Sequence, residues 1–220
     1  MDVRRGELSF AELLELPGVA EISDLRSRFG FLAFHGGNLE RVTDQIASEA
    51  AARSGSSFYG VLQPPGVRHH IPSVEVDPGH SPRLAAFLDH CEVVVAVHGY
   101  GRQGQWTSLL LGGGNRPLAA HVGHHLRQAL PAYQVVDDVE RIPTTLRGLH
   151  PRNPCNRTRG GGVQLELPPR VRGLTPMARW WPGSGRRFPH VDDLVAGLAA
   201  AAASWDSMAP WEGFAPPHPG

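Results

Sequence analysis

Two apolar runs of this chain end in the same dipeptide. Phe31-Leu32-Ala33-Phe34 runs into His35-Gly36, and Val93-Val94-Val95-Ala96-Val97 runs into His98-Gly99. A strand closed by histidine and glycine presents an imidazole at the carboxyl edge of an open α/β sheet, where such sheets bind ligands. Glu40 follows His35 across the pliable Gly36-Gly37 pair, so two imidazoles and a carboxylate can converge on one divalent cation. Two histidines and a glutamate, with a fourth position left for water, form the ligand set of a catalytic zinc ion. Such a site also needs a carboxylate to take the proton of that water, and Glu166 is the candidate general base. It interrupts Val163-Gln164-Leu165-Glu166-Leu167, where the period of two puts the apolar residues on one face and Gln164 and Glu166 on the other. Taken singly, each residue has a plainer reading. A strand-end histidine is commonly a hydrogen-bonded structural group, and Glu166 has the alternative of an ion pair with an arginine.

The segment 141–187 holds ten arginines against one acid, Glu166. Within it, Asn153-Pro154-Cys155-Asn156-Arg157 offers amide donors and a guanidinium suited to gripping a substrate carboxylate in bidentate fashion. The candidate substrate-binding residues are therefore Arg152, Asn156 and Arg157, together with His70 beside the extended Ile71-Pro72-Ser73. Two other patterns are set aside. Gly99-Tyr100-Gly101-Arg102-Gln103-Gly104 has the form G-x-G-x-x-G, but the residues after it read as strand, whereas a dinucleotide fingerprint must open a helix. His121 and His125, with His124 beside them, lie one helical turn apart but lack the glutamate of H-E-x-x-H, and read as a solvated face.

Positioning these residues requires strands that alternate with helices. Ser9 to Leu16 reads as a short helix with capping-box spacing, and Arg28 to Phe34 as a buried strand. Thr43 is placed to cap a helix running to Arg53, followed by a strand at Phe58–Leu62. Pro82 to His90 reads as helix and Glu92 to Val97 as strand, then come strands at Thr107–Leu111 and Tyr133–Val136 around a helix at Pro117–Leu130. Val163–Leu167 is a late strand, and Val191 to Trp205 an alanine-rich helix. The expected architecture is a three-layer α/β fold with a mixed, mostly parallel sheet and helices on both faces. Residues 1–209 are expected to form a single catalytic domain whose motif-bearing core is about 30–172, with 210–220 as a flexible tail.

At 220 residues the chain is long enough to bury a core without staples. Its 21 basic and 21 acidic residues balance, and every basic one is arginine, so no global charge calls for nucleic acid. Cys91 and Cys155 lie far apart in sequence and are expected as free thiols. The first residues show no apolar leader and no stretch is long enough to span a bilayer, so a cytoplasmic protein without a membrane partner is expected, with release by lysis as a further route. The oligomeric state is left open.

In order along the chain, His35-Gly36-Gly37-Asn38-Leu39-Glu40, His70-Ile71-Pro72-Ser73, His98-Gly99, Asn153-Pro154-Cys155-Asn156-Arg157 and Gly162-Val163-Gln164-Leu165-Glu166-Leu167 resemble the poly-γ-glutamate hydrolase family. The resemblance spans roughly residues 30 to 172. It implies a fold similar to the zinc carboxypeptidases, one zinc ion held by His35, Glu40 and His98, Glu166 as general base, and hydrolysis of γ-glutamyl amide bonds, an activity of phage and bacterial members. Asn156-Arg157 also resembles the carboxypeptidase pair that holds a substrate carboxylate. Two positions depart from the family: Val42 stands where glycine is common before the threonine, and Pro72 where threonine is common. The expected activity is a zinc amidohydrolase acting on poly-γ-glutamate or a related acidic polymer. The alternatives are a zinc hydrolase of peptidoglycan-type or small N-acyl amino acid amides, and a non-catalytic protein that binds phosphates or nucleic acid through the arginine patch.

Overall fold

The computed structural model describes residues 8–102, 104–174 and 188–205. The expected tail 210–220 and Arg179, Arg186 and Arg187 of the arginine-rich segment lie outside the described residues. Strands β1 (Ala20–Asp24), β2 (Phe29–Gly37), β3 (Ser57–Gln63), β4 (Val93–Gly99), β5 (Ser108–Leu111), β6 (Gln134–Val136) and β7 (Gly162–Leu167) form one sheet in the order β1-β3-β2-β4-β7-β5-β6. The central block β3-β2-β4-β7 is parallel. β1 and β5 flank it antiparallel, and β6 runs parallel to β5.

Helices α1 (Phe10–Leu14), α2 (Thr43–Ser54), α3 (Pro82–His90), α4 (Arg116–Ala129) and α5 (Pro189–Trp205) cover both faces. Alternation along the strands assigns them. Phe31, Ala33, Val95, Val97, Val163, Leu165 and Leu167 share a core with Ile46, Leu118, Val122, Leu194 and Leu198 of α2, α4 and α5. Leu32, Phe34, Val94 and Ala96 face the other way, onto Phe10, Leu13, Leu84 and Phe87 of α1 and α3. The mixed, mostly parallel three-layer architecture read from the sequence is therefore the one observed. Cys91 and Cys155 are free and buried. Among the described residues, no helix is long and apolar enough to cross a membrane.

Two local features differ from the sequence reading, and a third was left open by it. β1 was not expected, because as an edge strand only half-covered by its neighbours it lacks a clean apolar alternation. Thr43 does not cap α2. Val42 occupies that position with a left-handed φ of 77°, and the Thr43 hydroxyl instead donates to the Glu40 carbonyl at 2.7 Å. The chain must double back at once, with Glu40 N–H on the His35 carbonyl at 2.9 Å and Thr43 N–H on the Glu40 carbonyl at 3.2 Å, and the left-handed residue makes that reversal. Gly37, at φ 67°, serves the same return; a Cβ there would overlap the Gln63 backbone. Finally, the long arginine-rich connection before β7 is ordered by short 3-10 turns at Val139–Arg141, Thr144–Leu146 and Pro154–Asn156.

Candidate metal centre and cleft

β2 and β4 are neighbours in register, Leu32 opposite Ala96, so the histidines that close them arrive side by side. The His35 and His98 rings lie edge to face with centroids 5.0 Å apart, and the Phe34 ring is wedged against both at 4.8 Å. The reversal after β2 swings Glu40 back over them. Its Oε1 is 2.9 Å from His35 Nδ1, and its Oε2 is 3.3 Å from His98 Nδ1. The Gly99 N–H donates to the same Oε2 at 2.8 Å. His35 and His98 are almost fully buried, as is Glu166.

The donor chemistry fits a cation. His35 Nε2 lies 2.8 Å from the Ile71 carbonyl, an acceptor only, so Nε2 carries the ring proton and Nδ1 presents its lone pair. That lone pair faces a carboxylate oxygen, which is itself an acceptor. Two acceptors this close need a proton or a metal between them. Atoms around tetrahedral zinc, at roughly 2.0–2.1 Å from the ion, stand roughly 3.3 Å apart, close to the spacings seen here. The Ile71 carbonyl holds the His35 ring as an outer-shell partner would hold a metal-ligating histidine. A third imidazole competes for the role of ligand. His70 is exposed, its ring centroid is 4.8 Å from that of His35, and one ligand atom each of His35, Glu40 and His70 lie within 4.8 Å of one another. The sequence reading placed His70 on the substrate side; the structure sets it close enough to His35 and Glu40 to share a cation with them.

Glu166 stands directly across the β4–β7 ladder from His98, on the face opposite to Val163, Leu165 and Leu167, as the alternation predicts. Burial pushes its carboxyl above the usual range, the nearby Glu40 adds to that, and His98 opposes it. Burial alone would push Glu40 the same way, but the His35 and His98 imidazoles outweigh it and hold the Glu40 carboxyl well below the ordinary range. Burial lowers the His98 imidazole, yet Glu40 and then Glu166 bring it above its ordinary value. Behind these groups lies Arg172, almost fully buried, its guanidinium donating to the Arg41 carbonyl at 2.8 Å and the Tyr100 carbonyl at 3.5 Å. It ties the loop that carries Glu40 to the loop that follows His98. Sequence reasoning counted Arg172 only as part of a basic patch, because nothing local marks an arginine whose burial is decided by two distant loops.

The site opens into a cleft of about 760 Å³ walled on the far side by residues 144–150. His70 and His150 line it; His150, which the sequence reading missed, accepts the Arg152 N–H on its Nδ1 at 3.1 Å. The Asn153–Arg157 motif is placed otherwise than expected. Arg157 is 3.5 Å from Asp77 and lines a separate cavity with Arg28 and Glu92, residues that precede β2 and β4. It therefore sits towards the amino edge of the sheet, where the chain returns to enter β7. Asn156 spends its amide on the backbone, donating to the Gly148 and His150 carbonyls and accepting from the Gly114 N–H. Neither side chain lines the cleft, nor does Arg152. The set-aside motifs also find structural places. The strand β5, not a helix, follows Gly99–Gly104, of which Gln103 lies outside the described residues. His121 and His125 share the Ser204 hydroxyl of α5, at 3.2 and 3.0 Å.

Comparison with known proteins bears on the family and the fold. Over 147 residues the chain is 28% identical to the SPbeta prophage-derived protein YoqZ of Bacillus subtilis, and over 139 residues it is 29% identical to YndL of the same organism. These matches cover 66% and 62% of this chain but only 50% and 51% of the relatives, so the chain spans about half the length of the curated proteins it matches. Among solved structures, a bacteriophage poly-gamma-glutamate hydrolase superposes with a TM-score of 0.76 at 21% identity, covering 90% of this chain and 95% of that one. A zinc-free apo form of YndL superposes at 0.69 and 22% identity, covering 88% and 95%. The fold is thus shared with both. A family model described as poly-gamma-glutamate hydrolase matches residues 9–175, which takes in the paired histidines, Glu40 and the Glu166 strand, and the chain accordingly belongs to the poly-gamma-glutamate hydrolase family.

Proposed function

We propose that residues 1–209 act as one catalytic unit, a zinc-dependent amidohydrolase that cleaves γ-glutamyl amide bonds of poly-γ-glutamate or a related acidic polymer. The observation that carries this reading is the convergence of His35 Nδ1 and His98 Nδ1 on the two oxygens of one carboxylate, with Glu166 across the ladder. His35, Glu40 and His98 would hold the zinc ion, which would supply Lewis acidity toward the scissile carbonyl and the attacking water. Glu166 accepts the proton of that water as its oxygen bonds to the amide carbon. The same carboxyl then returns the proton to the departing nitrogen as the C–N bond breaks, leaving a carboxylate and an amine. His70 and His150, at the cleft wall, offer N–H donors to the carboxylates of neighbouring residues of the polymer. Among the described arginines of the segment, Arg147, Arg157, Arg159 and Arg172 are engaged with Glu140, Asp77, Glu92 and backbone carbonyls respectively, which leaves fewer free guanidiniums for a nucleic-acid surface.

The test is metal analysis of the purified protein together with cleavage of poly-γ-glutamate, peptidoglycan fragments and small N-acyl amino acids. Stoichiometric zinc, polymer cleavage, and loss of both in His35→Ala support the reading. Cleavage only of the other amides reassigns the substrate, and protein that neither retains zinc nor cleaves any of them sinks it.

A further inference from the structure

Gln164 and Asn153 are buried polar side chains in the floor of the cleft, and the reaction as described gives neither a task. Their hydrogen bonds form a chain with a single direction. The Cys155 backbone N–H, which can only donate, reaches Asn153 Oδ1 at 3.2 Å. That leaves Asn153 Nδ2 as the end that faces Gln164, and it donates to Gln164 Oε1 at 2.7 Å. Gln164 Nε2 then donates to Glu166 Oε1 at 2.9 Å and to the Leu146 carbonyl at 3.4 Å. An amide has one donor end and one acceptor end, so every link is set by the one before, back to a peptide group that cannot reverse. The loop can approach this closely because residue 148 is glycine: at its φ of 61° a Cβ would stand 2.5 Å from Gln164 Oε1.

We infer that Asn153 and Gln164 are positioning residues that aim Glu166. The inference rests on the reading of Glu166 as the general base. The chain engages Oε1 and holds the carboxylate in one rotamer, which leaves Oε2 to exchange the proton with the water and the departing amine. A carboxylate held this way reacts from a pre-organised geometry, whereas an unheld one must find it at each turnover. The Asn-Pro-Cys-Asn segment thereby has a role, one that acts through Glu166 and not on the substrate.

The polarity of the chain supplies the test. Asn153→Asp keeps the acceptor for the Cys155 N–H but sets a carboxylate against Gln164 Oε1, so the link that braces Gln164 toward Glu166 is broken. Gln164→Met keeps the volume and removes the link. Steady-state cleavage is measured per zinc-loaded molecule, with Glu166→Gln in parallel. The expected result is a kcat lowered about tenfold or more in both variants, with KM and zinc content within twofold of wild type, and a larger loss in Glu166→Gln. A merely structural role would lower folded yield but leave kcat per loaded molecule unmoved. Should Asn153→Asp fail to fold, Gln164→Met decides. If Glu166→Gln is inactive while the positioning variants keep wild-type kcat, or lose activity only through KM or zinc, this inference fails and the general base stands. If Glu166→Gln retains wild-type kcat, both fall.

Discussion

Gly99 closes the second histidine motif, and the structure shows what a side chain there would displace. A Cβ on Gly99 would stand 2.5 Å from both Cζ and Nη1 of Arg172, about 1 Å inside ordinary contact. An exposed arginine would swing aside at little cost. Arg172 is buried, and moving it surrenders its 2.8 Å bond to the Arg41 carbonyl. Charged hydrogen bonds of this kind contribute about 1.5–3 kcal/mol, and alanine in a strand recovers about 0.5–1 kcal/mol relative to glycine. Gly99→Ala is therefore expected to destabilise the metal-free protein by about 1–2 kcal/mol. At about 2–4 °C per kcal/mol for a chain of this size, that lowers the thermal midpoint by several degrees. The assay is a double-mutant cycle with Arg172→Ala, followed by denaturant and heat in EDTA so that zinc binding does not add to apparent stability. In the Arg172→Ala background the obstruction is gone, and Gly99→Ala should be neutral or mildly stabilising. An equal loss in both backgrounds, or none in either, would refute the account of Arg172 as the tie between the two loops.

Other expectations follow from the same geometry. His98→Ala should abolish stoichiometric zinc while His70→Ala retains it and raises KM; metal analysis giving the reverse would make His70 the third ligand. Arg157→Ala should leave kcat/KM for polymer cleavage within about twofold, since Arg157 pairs with Asp77 outside the cleft; a loss above about tenfold would restore it to substrate binding. Burial pushes the Cys91 thiol up to about 12 and raises Cys155 as well, so at pH 8 the thiolate fraction of Cys91 is about 10⁻⁴. A chromogenic disulfide should then titrate neither thiol until denaturant is added, and fast reaction of the native protein would contradict the burial. Val42→Gly relieves about 1–2 kcal/mol of left-handed strain against about 0.5–1 kcal/mol of added chain freedom. Its melting temperature should hold or rise, and a clear fall would show that the packing of Val42 outweighs its strain.

The legible parts of the molecule were those written in local periodicity. Apolar runs stopped by His-Gly marked the ends of β2 and β4, and the alternation of Val163 to Leu167 told which face Glu166 would take. Illegible were the features set by the path of the chain between elements. Asn156 and Arg157 have the right groups for a carboxylate, but sequence does not say that the connection has already turned back toward the amino edge of the sheet when it reaches Arg157. Arg172 looks like any other arginine of a basic stretch until two loops close over it. Thr43 has the type of a capping residue, yet the reversal that returns Glu40 to His35 needs the left-handed residue one position earlier. The resemblance to the family points at that position, since glycine is common where this chain carries Val42.

The order in which the strands are made differs from the order in which they lie. β7 leaves the ribosome after β5 and β6, but its place is between β4 and β5, in the middle of the sheet. Every residue of the candidate cation cluster, His35, Glu40, His70 and His98, is thus synthesised well before Glu166, the acid that faces it. The acid that faces the cluster comes from a strand whose place, between β4 and β5, lies inside the sheet and not at its edge.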